Sequence, residues 1–158
     1  MTIFILRHGQ AEAQITTDEA HRLTDKGRSD TARVVQARVA DMVPLAQIWA
    51  SSLVRAQQTA EIAANYFPQL KIQTTDLLVP EANPQALLDW LDELNAQQLV
   101  DSSESILLVS HQPLVGSLVN MLCSKPDDYY PMGTSSLAAI RAQVIAADMG
   151  DLLWLDHA

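Results

Sequence analysis

The stretch Thr2-Ile3-Phe4-Ile5-Leu6-Arg7-His8-Gly9 decides how the chain is read. Its β-prone residues run without polar alternation, the pattern of a short strand buried on both faces. Arg7, His8 and Gly9 then end the strand in a polar turn. A strand covered on both sides needs helices on both sides of its sheet, and the segments that follow supply them.

Gln47 to Ala50 and Ser105 to Val109 are further short apolar strands. Arg28 to Met42 carries Ala32, Val35, Val39 and Met42 near helical spacing, and Gly27 just before it reads as a turn. Ser51 and Ser52 are candidate caps for a helix from Leu53 to about Tyr66. Lys71 to Thr75 reads as an edge strand. Pro84 to Ala96 reads as a helix capped by Asn83 with Pro84 in its first turn, and Leu114 to Leu122 as another helix. Ser136 to Val144 and Asp151 to Leu155 close the chain as strands. Strands alternating with helices define an α/β fold, a three-layer sandwich with a mainly parallel central sheet.

The 158 residues fit a single domain, 1–158, with no repeat or linker. Hydrophobic residues at 48%, charged residues at 18% and a mean hydropathy of +0.03 are those of a globular chain, neither disordered nor membrane-spanning. The opening apolar run is cut at Arg7, too short for an export signal. Cys123 is the only cysteine and sits in an apolar helix, so it reads as a buried core thiol, suited to a reducing cytoplasm. A net charge of −9 argues against nucleic acid and anionic lipid as partners. Every basic residue except Lys125 and Arg141 lies at or before Lys71, so a local cationic pocket for an anion has to come from the first half.

Three polar clusters follow directly on apolar strands: Arg7, His8 and Gly9; Ser51 to Arg55; Ser110 and His111. In open α/β sheets the carboxyl ends of the strands line the ligand crevice, so clusters distant in sequence converge there. Two arginine forks beside two histidines suit a phosphoryl dianion. Gly9 permits close backbone approach, and helix starts after Ser52 or Ser110 add N–H donors. A neutral histidine is a competent nucleophile and forms a phosphoryl intermediate, which makes His8 the candidate attacker. Taken singly, each residue has a structural explanation: a hydrogen-bonding His at a strand end, a solvated Arg55, a turn-stabilising His111. Leu87, Leu88, Trp90, Leu91 and Leu94 read as the buried face of a helix.

In order along nearly the whole chain, Arg7-His8-Gly9, Leu23-Thr24 followed by Gly27, Ser51 through Arg55-Ala56-Gln57-Gln58-Thr59, and Val109-Ser110-His111 resemble the histidine phosphatase, or phosphoglycerate mutase-like, superfamily. The short length makes it look most like the short bacterial phosphohistidine phosphatase subgroup, which acts on phosphorelay proteins. The resemblance implies a covalent phospho-His8 intermediate, Arg7 and Arg55 clamping the phosphoryl oxygens, and His111 opposite. Gly9 and Ser51 would support the phosphate site, with no metal and no cofactor. It also implies a phosphorylated histidine phosphotransfer domain as partner; the lone cysteine and the short apolar start point to a cytoplasmic location, and the oligomeric state is left open with a monomer favoured.

Two departures matter. Relatives commonly carry Arg-Pro before the Leu-Thr pair, where this chain has His21 and Arg22, so a supporting phosphate contact is either missing or supplied by Arg22. Larger members use a glutamate general acid, for which Glu81 is the nearest candidate. An ester's alkoxide needs such an acid, whereas an imidazole with an ordinary pKa of about 6.5 takes its proton from solvent. A weak acid therefore favours the P–N bond. The loop from Pro126 to Pro131, with Tyr129 and Tyr130, is a candidate contact surface. The rival readings are a small-molecule phosphomonoesterase, which Glu81→Gln would cripple; a non-catalytic phosphate-binding module, which would bind phosphate without turnover; and a zinc hydrolase, which a chelator would inactivate.

Overall fold

In the computed structural model, which describes residues 1–13, 20–97, 103–123 and 131–158, strands β1 (Thr2–Arg7), β2 (Leu45–Ala50), β3 (Ile72–Thr74), β4 (Ser105–Ser110), β5 (Leu137–Ala142) and β6 (Gly150–Asp156) form one sheet in the order β3-β2-β4-β1-β5-β6. The pairs β2–β3, β2–β4 and β1–β4 are parallel, with Arg7 opposite Ser110. β5 pairs antiparallel with both β1 and β6, so it alone among these strands runs against the rest. The sheet is thus mixed, and mainly parallel by strand direction. The segment Pro126 to Pro131 lies, except for its last residue, outside the described residues.

Helices α1 (Asp25–Arg38), α2 (Val54–Ala64), α3 (Pro84–Ala96) and α4 (Leu114–Cys123) cover the two faces. Ile3, Ile5, Ile106, Leu108 and Ile140 share one buried cluster with Leu87 and Leu91 of α3 and Leu118 and Val119 of α4. Phe4, Leu6, Leu107 and Val109 point the other way, into a cluster with Val34 and Val35 of α1 and Ala56, Ala60 and Ala63 of α2. Successive side chains of a strand face opposite sides. Because both sides of β1 and β4 are covered, their interior residues are all apolar, and the three layers follow.

Four local readings change. α1 begins at Asp25, not Arg28: Thr24 caps it by accepting the Gly27 N–H at 3.0 Å, so Gly27 lies inside the first helical turn. The helix ends at Arg38, and Val39–Met42 continues as a 3-10 turn. α2 starts at Val54 on Leu53, without a side-chain cap; Ser51 instead accepts the Leu53 N–H at 3.2 Å, as a turn before the helix. Cys123 is half-buried at the end of α4 rather than deep in the core, and burial followed by the nearby Asp151 carboxylate pushes its thiol up to about 11. α3 starts and ends as expected, with Asn83 accepting the Gln85 and Ala86 N–H groups. Among the described residues no helix is long and apolar enough to cross a membrane.

Candidate active site

The loops after β1, β2 and β4 meet because these strands are neighbours running in the same direction. His8 N–H donates to Ser110 O at 2.9 Å, and Ser51 N–H to Val109 O at 3.1 Å, which ties the three polar turns together just beyond the strand ends. The result is a buried cluster of His8, Arg55, His111 and Ser51, with Arg7 half-buried beside it.

His8 is held in a defined protonation geometry. Its Nδ1 stands 2.7 Å from Gly9 O, and a carbonyl only accepts, so Nδ1 carries the proton. The Nε2 lone pair is left to face Arg55, whose Nε–H donates to it at 3.4 Å. The rings of His8 and His111 lie 4.9 Å apart at 53°. Burial, reinforced by His8, Arg55 and Arg7, lowers the His111 pKa to about 3, so the ring is neutral at physiological pH.

Gly9 is pinned. Its N–H donates to Thr59 Oγ1 at 3.1 Å, and Thr59 donates in turn to Arg55 O at 2.8 Å. A Cβ at Gly9 would sit 2.7 Å from Gly27 O and 2.8 Å from Thr31 Oγ1, so the absence of a side chain lets the loop seat against α1. Arg7 Nη1 donates to Met132 O at 2.8 Å, and Arg7 N–H to Ser136 O at 3.0 Å. Ser135, at a φ of 61°, donates its N–H to His8 O at 3.1 Å, and its Oγ lies 2.9 Å from Thr31 Oγ1.

The structure therefore brings together Arg7, His8, Gly9, Ser51, Arg55 and His111. Ser51 is fully buried, with its hydroxyl 2.8 Å from His111 Nε2. His21 is half-buried and Arg22 exposed, on a segment bridged to Ala11 through Leu23. Glu81 is exposed on the turn between the 3-10 turn Asp76–Leu78 and α3. The sequence reading includes Gln58 and Thr59 within a motif without giving either a role, and leaves Thr31 and Ser135 unnamed. Thr59 follows Arg55 by four residues, hence shares its helix face, and that spacing is the signal that finds it. Gln58 Oε1 accepts the Leu23 N–H at 2.8 Å and so anchors the segment leading into α1.

A family model described as the histidine phosphatase superfamily (branch 1) matches residues 3–79. A phosphohistidine phosphatase SixA homolog of Haemophilus influenzae is 31% identical over 147 residues, which cover 87% of this chain and 87% of that one. Phosphohistidine phosphatase SixA of Escherichia coli is 29% identical over 139 residues, 88% of this chain and 83% of its own. The solved structure of the protein histidine phosphatase SixA complexed with tungstate superposes with a TM-score of 0.83 at 26% identity, covering 99% of this chain and 97% of that one. The chain belongs to the histidine phosphatase superfamily, and its reading as a phosphatase, a hydrolase, stands on that membership.

Proposed function

We propose that the chain is a phosphohistidine phosphatase that strips phosphate from a histidine phosphotransfer domain of a phosphorelay, with His8 as the covalent nucleophile. The observation that carries the reading is the 2.7 Å contact of His8 Nδ1 with Gly9 O: a carbonyl only accepts, so Nδ1 holds the proton and the Nε2 lone pair faces the arginine cluster. Attack of Nε2 on phosphorus forms the P–Nε2 bond and breaks the P–N bond of the substrate, whose imidazole leaves with a proton from solvent. Water then attacks phosphorus and gives one proton to solvent, the P–Nε2 electron pair returns to His8, and inorganic phosphate leaves. Arg7, Arg55 and His111 stabilise the charge on the equatorial oxygens.

Two observations support this substrate class, and a third supports a phosphoryl site. Glu81 is exposed on its turn, as suits a leaving group that needs no strong enzymic acid. The two relatives matched over most of their length are named for phosphohistidine. The solved relative is complexed with tungstate, an oxyanion. We read the chain as one domain, monomeric and cytoplasmic, with His21 and Arg22 near the phosphate as secondary supports. The test is to incubate the purified protein, without added metal, with a phosphorylated histidine phosphotransfer domain and separately with an aryl phosphate, alongside His8→Ala. Fast, His8-dependent loss of phosphate from the domain is expected. Hydrolysis of the aryl phosphate alone would move the assignment to a small-molecule phosphatase.

A further inference from the structure

Ser51 is more tightly constrained than a residue that merely lines a pocket. Its N–H donates to Val109 O at 3.1 Å and its carbonyl accepts Gln57 Nε2 at 2.7 Å, so the backbone on either side of its side chain is fixed. Its Oγ accepts the Leu53 N–H at 3.2 Å and stands 2.8 Å from His111 Nε2. It is fully buried, as is His111.

A hydroxyl has one proton to give and two lone pairs. With one lone pair taken by Leu53 N–H, its proton is free to go to the imidazole. The other ring nitrogen, His111 Nδ1, is buried and has no hydrogen-bond partner among the described residues. A buried ring nitrogen left without a partner costs roughly 1–3 kcal/mol whether it is donor or acceptor, so such a group is retained where a ligand completes it.

We infer that Ser51 donates its hydroxyl proton to His111 Nε2 and thereby holds His111 as the Nδ1–H tautomer, a neutral N–H donor kept ready for an oxygen of the phosphoryl group arriving at His8. This rests on the proposed function for its reaction, and adds that Ser51 is a positioning residue that acts through His111. The cluster then holds two histidines of the same tautomer put to opposite uses. In His8, Nδ1–H bonds a carbonyl and exposes the lone pair of Nε2 for attack; in His111, Nε2 is bonded by a hydroxyl and Nδ1–H is left to donate. The depressed pKa of His111 agrees, since a ring among Arg7, Arg55 and His8 that stays neutral donates through one nitrogen only. Without Ser51, nothing at Nε2 opposes the other tautomer, and the nitrogen without a partner becomes an acceptor facing an anion.

The experiment records the imidazole nitrogen resonances of isotope-labelled wild type, Ser51→Ala and His111→Gln, together with kcat and KM on an aryl phosphate. Expected are a protonated Nδ1 at His111 in wild type, a shift toward protonated Nε2 in Ser51→Ala, and a fall in kcat of about tenfold to a hundredfold with KM little changed. Adding Ser51→Ala to His111→Gln should then lower kcat no further. A wild-type His111 protonated at Nε2, or a Ser51→Ala protein with its tautomer and kcat intact, would overturn the inference. Should Ser51→Ala not fold, the wild-type spectrum decides alone. Failure of the phosphotransfer substrate would defeat the proposed function and leave these spectra readable.

Discussion

Replacing Gly27 with alanine sets two effects of opposite sign against each other. In an ordinary helix interior the change is worth up to about 1 kcal/mol of added stability, because glycine is a poor helix former. Here a Cβ would stand 2.1 Å from Gln10 O and 2.8 Å from Gln10 N, whereas ordinary contact begins at 3.4 Å. Both walls are backbone, so the β1 loop and α1 must part by more than an ångström. Gln10 O also accepts the Thr24 N–H at 2.9 Å, a bond that stretches with the displacement. Overpacking at about 1–3 kcal/mol and a hydrogen bond at about 1 kcal/mol outweigh the helix gain, leaving a net loss of roughly 1–3 kcal/mol. Gln10 is two residues from His8, and a misplacement of about 1 Å at a reacting group costs on the order of a hundredfold in rate. Urea unfolding and steady-state kinetics on Gly27→Ala check both. A variant more stable than wild type with undiminished kcat would refute the close approach and its link to the nucleophile.

His111, neutral in the fold down to about pH 3, takes up a proton near pH 6.5 once unfolded. Stability therefore falls as pH drops from 7 toward 3, by about 2 kcal/mol at pH 5. Urea unfolding at pH 8 and pH 5 should show that loss, and His111→Gln should reduce it; parallel profiles would refute a buried neutral ring. Arg38 holds Asp156 with Nε at 2.7 Å and Nη2 at 3.0 Å and lies over Trp154 at 4.0 Å, clasping α1 to β6. Arg38→Ala is expected to cost about 1–2 kcal/mol in chemical unfolding, discounted for partial exposure, with kcat unaffected. Arg55→Lys, which keeps the charge and loses the planar fork, should lower kcat at least tenfold in the aryl phosphate assay.

What the sequence made legible follows from what is local. α3 reads correctly from Asn83 to Ala96 because its cap, its first-turn proline and its leucine spacing all lie within the helix. β1 and β4 read correctly because double-sided burial leaves no polar position inside them. Gly27 misled because its reason is a contact with Gln10, 17 residues back, that no local pattern carries. The direction of β5 was hidden for the same reason: antiparallel pairing with β1 is set by the path of the chain between elements. Within the site, Arg7, His8, Arg55 and His111 stood out as polar groups directly after apolar strands. Thr59 and Ser135 did not, since an alcohol in a helix or loop is ordinary until its partner is known to be Gly9 N–H or Thr31.

The most direct test of the central claim is to trap the intermediate. Wild type mixed with a phosphotransfer domain carrying labelled phosphohistidine, and quenched within one turnover, should yield label on its own chain that is stable to base, labile to acid and located on His8 at Nε2. His8→Ala should carry none and leave the domain phosphorylated. Turnover by His8→Ala, or label released from wild type without ever residing on His8, would contradict the account.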